Sequence, residues 1–114
     1  MSTELTARRM VLTAASEIEP LPVRWAWTDD GHGRVPAGAL VVAAGREGTG
    51  KSSFGIWMAA QITRGLLPGT LYGHPASVIY VAVEDSWKHT LVPRLIAAGA
   101  DLAKVALLQT VSYL

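Results

Sequence analysis

Apolar residues gather into three runs of strand length, at 39–44, 77–83 and 105–111, with one helix-length apolar segment, 53–63, between the first two. The run Ser77-Val78-Ile79-Tyr80-Val81-Ala82-Val83 is β-branched and almost continuously apolar. That pattern predicts a buried parallel strand covered on both faces. Ala39-Leu40-Val41-Val42-Ala43-Ala44 predicts a first strand, and Val105 to Val111 a third. The helical segment carries Phe54, Ile56, Trp57, Met58, Ala59, Ala60 and Ile62, so it is apolar nearly all round. Such a helix is buried on more than one side. Its sheet accounts for one side, and another part of the fold or a neighbouring subunit for the other. Gly65, after Arg64, stands at the usual helix-ending position.

Elsewhere the pattern is weaker. Residues 1–8 are polar and expected to fray. Met10 to Thr13 fits a short strand, and a helix from Thr3 to Glu19 fits nearly as well. Pro20 and Pro22 end whatever precedes them. Val23-Arg24-Trp25-Ala26-Trp27 alternates as a strand does. Its two tryptophans either stack a base or anchor a core or interface. Thr28 to Gly33, with His32, and Leu66 to Ala76, with His74, read as turn-rich loops. Trp87 to Ala98 is helical in composition, but Pro93 sets the true helix start near itself. Gly99 ends that helix, and Asp101 to Lys104 is a link.

Composition narrows the class. A chain of 114 residues, 50% hydrophobic and 17% charged, fits one small folded domain. A formal charge of +1 leaves nucleic-acid contact to a local patch rather than the global field. The absence of cysteine excludes a disulfide framework and a thiolate metal site, and is compatible with the cytoplasm, where the chain is expected. No apolar run approaches the ~18 residues of a membrane span, and the N-terminus lacks a signal-peptide core.

The chemistry lies between the first strand and the helix. Gly45-Arg46-Glu47-Gly48-Thr49-Gly50-Lys51-Ser52 fits Gly-x-x-x-x-Gly-Lys-[Ser/Thr], the phosphate-binding loop of nucleoside triphosphatases. Wrapping a triphosphate requires several backbone N–H groups to point inward together, which forces turns that glycine tolerates. The helix beginning near Lys51 adds its free N–H groups and positive dipole end. Lys51 reaches the β/γ-phosphates as a point charge, and Ser52 is placed to ligate Mg²⁺. The second strand ends in Glu84-Asp85, and ligands of open α/β sheets bind at the carboxyl ends of strands. Glu84 there orients or deprotonates the attacking water. The competing reading is that both residues belong to the cap of the next helix, where Asp85 or Ser86 makes a good N-cap. Asp85 is accordingly a cap or a Mg²⁺ neighbour.

The motif order extends further. Arg24 to Trp27 and Pro36 to Leu40 precede the loop. Thr63-Arg64-Gly65-Leu66-Leu67-Pro68-Gly69, Val78 to Ser86, and Pro93-Arg94-Leu95-Ile96-Ala97-Ala98-Gly99-Ala100-Asp101 follow it. Over residues 10–112 the chain resembles the front part of a RecA-like, AAA-type ATPase of the RepA hexameric replicative helicase kind. The resemblance implies a three-layer α/β core with a mainly parallel sheet. It implies ATP and Mg²⁺ on residues 45–53 (Gly45, Arg46, Glu47, Gly48, Thr49, Gly50, Lys51, Ser52 and Ser53) and Glu84 as the catalytic carboxylate. It also implies a ring with ATP between subunits, moving on single-stranded DNA.

Such cores carry a further strand ending in a Mg²⁺-binding aspartate (the Walker B position) and an arginine finger, and no such strand follows Glu84 here. The expectation is therefore an N-terminal segment, 1–35, on a partial ATPase core, 36–114, cut before the Walker B strand. An alternative is a non-catalytic module that binds nucleotide, or joins and regulates rings of a full-length relative. A small phosphotransferase ranks last, because residues 84–114 offer Arg94 alone for an arginine-rich lid.

Overall fold

The computed structural model describes residues 7–46, 48–83 and 85–108. Its regular elements are strands β1 (Trp25–Asp29) and β2 (His32–Pro36), helix α1 (Lys51–Arg64), strand β3 (Val78–Tyr80), helix α2 (Val92–Ala98) and strand β4 (Val105–Leu107). Turns of 3-10 helix occupy Ala15–Glu17 and Leu102–Lys104, and a π-helical turn, Trp87–Leu91, leads into α2. The architecture is mixed α/β with two small sheets.

β1 and β2 form an antiparallel hairpin in which Asp29 faces His32 across Asp30-Gly31. Both turn residues have positive φ, 49° and 75°, the twist that two-residue hairpin turns need and that Asp-Gly favours. The region expected to be a loop is thus a turn and a return strand. His32-Gly33-Arg34 lacks the apolar alternation by which strands are read, because all three residues face solvent and burial begins at Val35.

The hairpin docks through its backbone. The Thr28 N–H donates to the Pro68 carbonyl at 2.9 Å, and the Thr70 N–H donates to the Trp25 carbonyl at 2.9 Å. Trp27 meets α1 as the third member of an aromatic cluster, its ring centroid 5.7 Å from Phe54 and 5.4 Å from Trp57. Offset and edge contacts of this kind suit the ring quadrupoles. The contact comes from within the chain but leaves Phe54 and Trp57 exposed, so among the described residues α1 is buried on one side rather than the expected two. Trp27 serves here as an anchor.

The opposite side of α1 makes the core. Ile56 and Ala59 pack with Leu91 and Leu95, flanked by Val78, Tyr80, Trp87, Ala98 and Val105. β3 and β4 pair in parallel, Val78 with Val105 and Tyr80 with Leu107. Both helices end as expected, α1 at Gly65 and α2 at Gly99. α2 carries Pro93 in its first turn, where the missing N–H costs nothing.

The expected three-layer, mainly parallel sheet is not formed among the described residues. Residues 39–44 form no strand, and Leu40 and Val42 are 92% and 79% exposed. Their composition suits a strand, but a strand needs a ladder partner, and no described residue pairs with this one. β3 spans three residues rather than seven, and Ile79 is 71% exposed. The helices cover one face of the β3–β4 pair, and nothing described covers the other. In the third run, Val105–Leu107 is a strand, while 109–111 lie outside the described residues. Met10 to Thr13 is neither strand nor helix, and both Met10 and Leu12 are exposed.

Candidate active site: the 45–53 loop

The loop ends in a glycine that the helix requires. Gly50, the N-cap of α1, has φ 93° and ψ 20°, and Gly48 has φ 82°. These are left-handed conformations that cost an L-residue energy. A glycine cap also brings no side-chain acceptor, and among the described residues no side chain caps the start of α1. The first-turn N–H groups of this 14-residue helix are therefore left for an anion.

Upstream, the loop closes on itself. The Thr49 N–H and hydroxyl both donate to the Arg46 carbonyl, at 3.3 and 2.7 Å. A Cβ at Gly45 would stand 2.7 Å from the Thr49 hydroxyl, so a side chain there would push the turn open. Lys51 folds back and its ammonium donates to the Gly45 carbonyl, bridging the two ends of the motif. Gly45, Arg46, Gly48, Thr49, Gly50, Lys51, Ser52 and Ser53 are all solvent-exposed, as an anion-receiving loop must be. Glu47 lies outside the described residues, as does Glu84.

The hydroxyls of Ser52 and Ser53 are engaged from α2. The Arg94 guanidinium donates to Ser52 Oγ at 3.3 Å and to Ser53 Oγ at 2.8 Å. Spacing rules could not have found this contact, because 41 and 42 residues separate the partners. Asp85 lines a cavity of about 540 Å³ at the carboxyl end of β3, together with Val81, Val83, Trp87, Lys88 and Leu108. Ser86, rather than Asp85, caps the following turn, accepting the His89 N–H at 3.3 Å. No hydrogen bond joins Asp85 to the 45–53 loop among the described residues.

The donor set fits Mg²⁺ carried in by a nucleotide. No three His, Asp or Glu residues among those described could hold a metal by themselves. Magnesium in phosphate sites commonly takes one or two protein oxygens, substrate phosphates and water, and Ser52 supplies such an oxygen. A polyphosphate fits the loop for the same reason: helix-start amides with no side-chain cap among the described residues, and the Lys51 ammonium at the loop mouth.

A family model for an AAA domain matches residues 2–113. No curated protein and no solved structure matches the chain.

Proposed function

The chain belongs to the AAA domain family, and from that premise we propose that it is an ATP-binding P-loop ATPase domain of the RecA-like, RepA-type helicase kind. The observation that carries the reading is the curl of the 45–53 segment, with Gly50 left-handed at an uncapped helix start and Lys51 across the loop mouth. Family membership implies a nucleotide, with Mg²⁺ as its companion.

In this reading the amides of Gly48, Gly50, Lys51 and Ser52 bind the phosphate oxygens, and Lys51 leaves the Gly45 carbonyl to pair with the β/γ-phosphates. Arg46, Thr49 and Ser53 complete the wall of the loop, and Glu47 belongs to the same nucleotide-binding motif by sequence. Ser52 holds Mg²⁺ by its hydroxyl, and Asp85 acts in the shell around it. When bound, ATP supplies the phosphoanhydride to be opened, and Mg²⁺ draws charge from the β- and γ-oxygens. Glu84, the residue before Asp85 in the sequence, takes the proton of the attacking water in this reading. The parent core of this reading is a three-layer, mainly parallel sheet, which residues 39–44 would join as a strand. Its ring form and its single-stranded DNA partner come from the resemblance alone.

Equilibrium binding of ATP tests the proposal. Wild-type chain with Mg²⁺ should bind at millimolar nucleotide or below. Lys51→Ala should lose roughly ten- to a hundredfold in affinity, the worth of a hydrogen bond to a charged group. No binding by the wild type overturns the reading. Glu84→Gln should keep binding and abolish turnover, and unchanged turnover would remove Glu84 from the mechanism. A wild type that binds without turnover at any concentration is instead the non-catalytic module.

A further inference from the structure

Arg94 has no place in the reading above, yet it touches the two hydroxyls that open α1. Its guanidinium donates to Ser53 Oγ at 2.8 Å and to Ser52 Oγ at 3.3 Å. The residue is half-buried, whereas both serines are exposed. α2, which carries it, is anchored by Leu95, 1% exposed in the core against Ile56 and Ala59. The stem of Arg94 is therefore fixed on one side while its charged end reaches out over the loop. The preceding π-helical turn sets this register: the Leu91 N–H bonds to the Ser86 carbonyl at 3.0 Å, five residues back. A cleft of about 310 Å³, lined by Ser53, Ile56, Trp57, Arg94 and Ala97, adjoins the contact and offers the guanidinium a place to swing.

Resting on the nucleotide reading of the loop, we propose that Arg94 is a positioning residue that holds the Ser52 and Ser53 hydroxyls and gives way to Mg²⁺ when nucleotide binds. A hydroxyl oxygen has two lone pairs. A guanidinium hydrogen bond uses one of them and leaves a positive charge beside the position a divalent cation must take. Like charges a few ångströms apart repel even when partly screened. The exchange therefore costs affinity for the magnesium-bound nucleotide and adds a cation for the metal-free one. It also joins site occupancy to α2, and through the π-helical turn to the segment that carries Asp85.

The test is ATP affinity with Mg²⁺ and with EDTA, for wild type, Arg94→Ala, Arg94→Gln and Arg94→Lys. With Mg²⁺, Arg94→Ala should bind roughly three- to tenfold more tightly, and with EDTA more weakly, the scale of a partly exposed charge pair. The opposite signs are what loss of a merely structural contact would not give. Arg94→Gln is the smaller perturbation should the alanine variant melt early, and it should move the Mg²⁺-to-EDTA affinity ratio the same way. Arg94→Lys, which keeps the charge, should restore the wild-type ratio. A ratio unchanged in both neutral variants, or equal weakening under both conditions, overturns the proposal while leaving the loop reading intact. Binding by the wild type under neither condition overturns both.

Discussion

Thr63 lies 1% exposed on the inner side of α1, the one buried polar side chain among the described residues. Its hydroxyl donates to the Ala59 carbonyl at 2.8 Å and accepts the Asp101 N–H at 3.1 Å. It thus ties the helix to the link before β4. Thr63→Val keeps the shape but leaves the Asp101 N–H unsatisfied, and should cost about 1–3 kcal/mol. Urea unfolding should show this, with Thr63→Ser recovering part of the loss; an unchanged midpoint would mean that the hydroxyl is dispensable. Such roles are invisible in the sequence because the partners stand 38 residues apart. The same holds for Arg94 and Ser53. By contrast Gly48, Gly50, Lys51 and Ser52 were legible at once, since the turn they make is local and each residue type answers a local requirement.

At the scale of elements, both helices were legible because their ends are written locally, in Gly65, Pro93 and Gly99. The hairpin was readable only through Asp30-Gly31, since its second strand carries no apolar alternation. The 39–44 run has the composition of a strand without a described partner, and no local pattern reveals a missing neighbour. Docking of the hairpin depends on Gly69, whose φ is 137° and whose Cβ would collide with the Ala26 carbonyl oxygen. Because the obstacle is backbone, Gly69→Ala has to push β1 off the loop that receives it. The expected loss is about 2–4 kcal/mol, the scale of a forced close contact plus strain. Tryptophan fluorescence should report it as a red shift, because Trp27 leaves Phe54 and Trp57. An unshifted spectrum with wild-type stability would show that the hairpin docks without this approach.

On the scale of the molecule, the radius of gyration is 19.3 Å, against about 13–14 Å for a compact domain of this length. Much apolar surface stays in solvent: Leu40, Val42, Val81 and Val83 are each at least 60% exposed. Patches of that kind seek cover. The account therefore predicts self-association. Sedimentation should give a weight-average mass that rises with concentration above the 12.1 kDa of the single chain, and Leu40→Ser with Val42→Ser should lower it. A strictly monomeric chain at all concentrations would contradict this.

The central claim is that the 45–53 amides receive a polyphosphate. It is tested most directly by backbone amide NMR of the nitrogen-labelled chain titrated with ATP and Mg²⁺. The N–H signals of Gly48, Gly50, Lys51 and Ser52 should move first and furthest, and those of β1 and β2 should stay still. Loop signals that remain unmoved at saturating nucleotide, or shifts confined to the hairpin, would contradict it.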